Sequence, residues 1–241
     1  MADFFLSDIH LRLDKPIHDA RLIRFLERVS PKDRLFIVGD LCDFWFSTQQ
    51  RNLPRAITPG LAALKKFSEQ GGRLVLLLGN HDEWLRAFYE KRLGFQITGE
   101  PLEVESYGLK LRLEHGHRNR AKPIWKSWLE GRTFFHAFSA LPVSLARIAQ
   151  NALLASNSKH RQSADSGMIA AFEAYTPSLT PAPDIAVFGH VHRVHVSQVG
   201  SVRLVVLGDW FDGENYLRVD ENGAEHVSVP DPRAQVDTDL S

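Results

Sequence analysis

Five stretches of this chain that read as strands each run straight into residues able to grip a cation. Residues 3–7 lead to Asp8, 35–39 to Asp40, 74–79 to Asn80, Leu109–Glu114 to His115 and 185–189 to His190. Short apolar runs of this length are the mark of buried strands. Ligands at the carboxyl ends of neighbouring strands meet on one rim, where open α/β sheets bind their ligands. Asp8 and His192 can share a site only if the first and last parts of the chain are neighbours. The expectation is therefore one domain over residues 1–229, with an internal insert at about 117–175 and a frayed, polar tail from 230 to 241.

Apolar spacing from Ile17 to Val29, closed by Ser30-Pro31, predicts a helix after the first strand. A second is predicted over Leu61, Leu64 and Phe67, closed by Gly71-Gly72, and a third from Asp82 to Gly94. The second half reads as antiparallel strands: a hairpin about Gly108, then 194–199, 202–207, 216–219 and 226–229, with turns at Gly200 and Asn222-Gly223. Two sheets face to face with helices outside, a four-layer αββα β-sandwich, is the simplest sum of these parts.

Hydrophobic residues make up 44% of the 241, an ordinary globular share, and 29 basic residues balance 29 acidic ones. Global charge gives no argument for a nucleic-acid partner. The single Cys42 rules out an internal disulfide and fits a reducing compartment. With no charged-then-apolar leader and no apolar run of about 18 residues, the expected location is cytoplasmic, lying on a membrane at most.

Asp8-Ile9-His10 places two ligand side chains on one side of an extended segment, and His190-Val191-His192 repeats the geometry. Asp40 can bridge two cations with its two oxygens, and Asn80 offers a neutral carbonyl. Cations about 3.5–4 Å apart can clamp both oxygens of an in-line displacement at phosphorus and lower the pKa of a bridging water. The seven residues Asp8, His10, Asp40, Asn80, His115, His190 and His192 therefore point to hydrolysis of a phosphate ester or anhydride. His81, beside Asn80, is expected to face the leaving group as an acid or electrostatic clamp, its ring held by Asp82. Imidazole suits zinc and iron, and oxygen donors suit manganese; the reading is manganese, with iron or zinc as alternatives. His18, His136, His160, His195 and His226 are expected to be surface or packing residues.

Asp8-Ile9-His10, Gly39-Asp40-Leu41-Cys42-Asp43, Gly79-Asn80-His81-Asp82, His115-Gly116-His117 and Gly189-His190-Val191-His192 together resemble the signature blocks of the calcineurin-like metallophosphoesterase superfamily. The resemblance implies a double β-sandwich with flanking helices. It also implies two metal ions, one held by Asp8, His10, Asp40 and His192, the other by Asp40, Asn80, His115 and His190. Within the superfamily the chain is similar to the UDP-2,3-diacylglucosamine pyrophosphatases of lipid A synthesis, on its size, the Ser7-Asp8-Ile9-His10-Leu11 opening, the insert after His115 and Ser156-Asn157-Ser158-Lys159. The best-known branch of those enzymes carries Arg in place of His81 and Asp in place of His117. They release UMP and a lipid monophosphate from a nucleotide-linked acylated sugar.

From 117 to 161 the chain carries eight Lys or Arg residues against Glu130 alone, interleaved with Trp125, Trp128, Phe134, Phe135 and Phe138. The insert begins directly after His115, so its first cations must lie near the site. His117, Arg118 and Lys122 are expected to face the diphosphate, as are Ser158, Lys159 and Arg161 by the resemblance. A basic amphipathic surface also suits anionic headgroups. The rivals are a soluble phosphodiesterase or phosphatase acting on a nucleotide or other small ester, and more distantly a non-enzymatic scaffold of the same fold.

Overall fold

Phe4, Leu6, Leu35, Ile37, Leu74 and Leu76 alternate with Phe5, Phe36, Val38, Val75 and Leu77 along three successive strands, all of them buried. A strand buried on both faces can only be the middle of a layered structure. The computed structural model shows how both faces are covered; it describes residues 1–13, 15–43, 57–81, 85–117, 145 and 161–231, with the backbone alone for 161–164.

One sheet has the order β11-β10-β1-β2-β3-β4. Its strands are β1 (Asp3–Leu6), β2 (Arg34–Val38), β3 (Arg73–Leu77), β4 (Gln96–Thr98), β10 (Gly213–Asp220) and β11 (Gly223–Pro230). β1 to β4 are parallel, while β10 joins β1 antiparallel. The second sheet, β5-β6-β7-β9-β8, contains β5 (Leu102–Ser106), β6 (Leu109–Glu114), β7 (Ile185–Phe188), β8 (His195–Val199) and β9 (Val202–Val206).

The inner faces meet through Phe5, Phe36, Val75, Leu77, Leu113, Val187 and Val205, with Phe5 and Phe36 stacked at 4.9 Å between ring centres. The outer face of the first sheet packs under α1 (Pro16–Leu26) and α2 (Pro59–Glu69), through Leu22, Phe25, Leu61, Leu64 and Phe67. The outer face of the second packs under α3 (Arg161–Tyr175), through Ile169 and Phe172. The expected αββα order is present, and α3, at the end of the expected insert, supplies its fourth layer.

Two expectations are corrected here, and one strand was missed. The helix expected from Asp82 to Gly94 is a short turn at Arg86–Phe88 running into a π-helical turn at Tyr89–Leu93. Gly94, at φ 74°, then reverses the chain, and the turn buries Tyr89 and Leu93. β4 went unseen because three residues at a sheet edge carry too little pattern. The expected tail at 230–241 yields its first two residues to the fold: Pro230 ends β11 and Asp231 is buried. The rest of it, 232–241, lies outside the described residues, as does 118–160 of the insert apart from Leu145.

Candidate metal centre

β1, β2, β6 and β7 end on the same rim, and the main chain zips their exits together. The Asp8 N–H donates to the Gly39 carbonyl at 3.1 Å, that of His10 to Asp40 at 3.1 Å and that of Leu11 to Leu41 at 2.8 Å. Asp8, His10, Asp40 and His190 all have left-handed backbone, with φ between 50° and 66°. For residues other than glycine that conformation persists only where the surroundings enforce it, a pattern that clusters at functional sites. The preceding glycines let the ligands close in. A methyl group on Gly79 would stand 2.0 Å from an Asp40 carboxylate oxygen, and one on Gly39 2.2 Å from His115 Nδ1.

All seven residues named as ligands converge. Asp8, His10 and His192 form one group whose donor atoms lie within 4.8 Å of one another, and Asp40, His115 and His190 form another; His10, Asp40 and His81 make a third between them. Each buried carboxylate ties down one oxygen and offers the other. Asp8 Oδ2 accepts from the His190 N–H at 2.9 Å and Asp40 Oδ1 from the His81 N–H at 2.9 Å. Asp40 Oδ2 then stands 3.3 Å from His115 Nε2, 3.9 Å from His81 Nε2 and 4.0 Å from His10 Nε2. Asn80 Oδ1 is 3.4 Å from His115 Nε2.

The imidazoles are aimed from behind. His115 Nδ1 donates to the Val38 carbonyl at 2.9 Å and His192 Nδ1 to Asp209 at 3.0 Å. Either bond turns Nε2 toward the cluster, the usual arrangement for an imidazole that holds a metal. Asp8 Oδ1 and both ring nitrogens of His10 are buried with no hydrogen-bond partner among the described residues. Such atoms cost about 1–3 kcal/mol each when left unmade, and a cation between them removes that cost. The donor set of imidazole, carboxylate and one amide oxygen therefore fits divalent metal.

Protonation follows the same geometry. Burial opposes the charge on Asp40, but His115, His81 and His10 outweigh it and hold the carboxyl well below its usual range. Burial likewise opposes the charge on His115, yet Asp40, Asp8 and Glu100 raise it to about 10. A divalent ion would displace that proton, because the carboxylates that favour one favour the other. Burial holds His190 well below the ordinary value, neutral and ready as a donor of electrons.

His81 lies at the rim, its side chain 27% exposed. Burial lowers its pKa, but Asp40 and Asp43 prevail and lift it to about 9. The ring partner is Asp43, whose Oδ1 accepts from Nδ1 at 3.1 Å. Asp82, expected in that role, lies outside the described residues. Asp43 and Asp209 were both missed as orienting residues, and only the Gly39–Asp43 block gave any hint of the first.

His18 is a packing residue, one of the two roles expected for it. It is buried, and its Nδ1 bonds the His10 carbonyl at 2.8 Å. His195, paired with Glu173 at 2.9 Å, and His226, bonded to Leu207 O, are structural as expected. His117 is buried beside the cluster, its ring centre 5.4 Å from that of His115 and its Nδ1 4.0 Å from Glu100. Arg118, Lys122, Ser158 and Lys159 lie outside the described residues, and Arg161 begins α3 with its side chain undescribed. No helix among the described residues is long and apolar enough to cross a membrane.

Residues 4–194 match the model of the calcineurin-like phosphoesterase family. Among curated proteins, the chain is 32% identical to a UDP-2,3-diacylglucosamine hydrolase of Stenotrophomonas maltophilia, over 92% of this chain and 96% of that one. It is 31% identical to the enzyme of that name from Aeromonas hydrophila, over 90% of this chain and 94% of that one. The corresponding protein of Haemophilus influenzae is 26% identical over 91% of this chain and 95% of its own length.

Proposed function

The chain belongs to the calcineurin-like phosphoesterase family, and we propose that it is the hydrolase that cleaves UDP-2,3-diacylglucosamine at its pyrophosphate, giving UMP and 2,3-diacylglucosamine 1-phosphate. The observation that carries this is a pair of donor clusters, Asp8–His10–His192 and Asp40–His115–His190, linked by the group His10–Asp40–His81, in a chain whose relatives named for that substrate align with 90–92% of it. In this reading Asp8, His10, Asp40 and His192 hold one divalent cation and Asp40, Asn80, His115 and His190 the other, with manganese as the metal. Two such ions supply, when bound, charge neutralisation at phosphorus and a water of lowered pKa.

The chain's own groups do the rest. Protonated His81, steadied by Asp43, presents its Nε2–H to the oxygen that leaves and either donates its proton or neutralises the developing charge. His117, buried beside His115 and His190, and the insert cations Arg118, Lys122, Lys159 and Arg161 with Ser158 face the diphosphate. The aromatic residues of the insert shelter the acyl chains, and its basic surface rests on anionic headgroups, each Lys or Arg contributing about 1 kcal/mol. In this reading the enzyme works at the inner face of the cytoplasmic membrane.

The test is hydrolysis by the purified chain, with manganese, of UDP-2,3-diacylglucosamine in mixed micelles beside a generic aryl phosphodiester. Release of UMP supports the reading. Cleavage of the diester with no UMP would replace it with a small-ester phosphodiesterase.

A further inference from the structure

We infer that Arg21, which supplies no proposed ligand, is a positioning residue for one of the two cation positions and not the other, acting through the segment 209–211; the inference rests on the two-cation reading above. That segment braces one cluster. The Trp210 N–H donates to the Asp8 carbonyl at 3.2 Å and the Asp209 N–H to the His192 carbonyl at 3.4 Å, while the Asp209 carboxylate accepts from His192 Nδ1 at 3.0 Å. The Phe211 ring stacks on His192 at 5.3 Å and lies 5.4 Å from that of His10. Each of these contacts falls on Asp8, His10 or His192. The other cluster is braced elsewhere: His115 leans on the Val38 carbonyl at 2.9 Å, and its N–H on Glu100 at 3.1 Å.

The segment is neither helix nor strand, so its place depends on what grips its carbonyls. Arg21 on α1 is fully buried, and its Nη1 donates to the Trp210 carbonyl and, at 3.0 Å, to that of Phe211. Asp231 Oδ2 accepts from the same guanidinium at 3.3 and 3.2 Å and fixes its plane. A buried charge is costly unless fully paired. A planar fork aimed at two main-chain oxygens sets direction in a way that the point charge of a lysine does not.

The experiment is a calorimetric Mn²⁺ titration of the chelator-stripped full chain, without substrate, for the native protein and for Arg21→Lys and Phe211→Leu, each checked for cooperative thermal unfolding. The native chain should take two equivalents. In either variant one equivalent should weaken about 10–100-fold, the usual cost of losing a group that orients a ligand, with the other unchanged. If Arg21→Lys does not fold, Phe211→Leu decides alone, since it leaves the buried ion pair intact. Equal weakening of both equivalents, or of neither, overturns the inference. A native chain that binds two equivalents yet releases no UMP sinks the proposed substrate and leaves this inference standing; one that binds fewer than two sinks the two-cation reading with it.

Discussion

Asp40 illustrates how much can rest on one side chain. It is buried, its backbone is left-handed at φ 53°, one oxygen is bonded to the His81 N–H and the other faces three imidazoles. Gly79 leaves it that space. For Gly79→Ala the added carbon would meet Asp40 Oδ1 at 2.0 Å and Asp40 N at 2.6 Å, so the loop must move. Thermal melts should show a loss of about 1–3 kcal/mol, typical of an overpacked site, together with loss of tight manganese binding; a variant that melts and binds like the native chain would refute this account. His81, with its pKa lifted to about 9 by Asp40 and Asp43 against burial, carries its proton through neutral pH. Bound cations offset the Asp40 charge that raises this pKa, so turnover that needs that proton declines along an alkaline limb lying below the value of about 9 that His81 has in the metal-free chain. His81→Gln should cost about 10²–10⁴-fold in kcat, the usual range for a positioned acid, and should erase that alkaline limb from the pH profile. A limb that survives the substitution belongs to another group.

Among the elements, those that end on ligands were legible, because an apolar run closed by a ligand residue has few other uses. What escaped was what depends on a distant partner. α1 shows why: its buried side includes His18, Asp19 and Arg21 beside Leu22 and Phe25, and nothing local says whom they meet. In the fold His18 bonds the His10 carbonyl, Asp19 the Gly60 N–H and Arg21 the segment near 210. Burial keeps His18 neutral, below its ordinary pKa. The unfolded chain takes up that proton near pH ~6.5, so the contribution of His18 to stability is present above that value and fades below it. His18→Gln, measured by urea midpoints on chelated protein from pH 7 to 5, should show a shallower acid loss than the native chain. An unchanged slope would assign the proton uptake elsewhere, and buried His190 is the obvious source.

At the scale of the whole molecule, the layer order was readable from strands buried on both faces, and the convergence of the seven proposed ligands from five blocks in order. Neither Asp43 nor Asp209 stood out, since a carboxylate that orients a histidine looks like any surface acid until the chain is folded. The centre draws on residues from 8 to 209, so cation binding stabilises the fold as a unit. At free manganese 100-fold above the dissociation constant, each filled position should add about 2.7 kcal/mol. The melting temperature should therefore rise on loading and fall with chelator in a single cooperative step; a shift confined to a minor transition would mean that the metals brace only a part.

The strand that follows β9 in the chain, β10, returns to lie beside β1, and the segment leading into it bonds the exit of β1 through the Trp210 N–H and the Asp8 carbonyl. A nascent polypeptide that has emerged from the ribosome only as far as β6 owns Asp8, Asp40 and Asn80 but neither His190 nor His192. Neither cation position can be complete at that stage. In the two-cation reading, full metal loading therefore waits until residues 190–192 have been made.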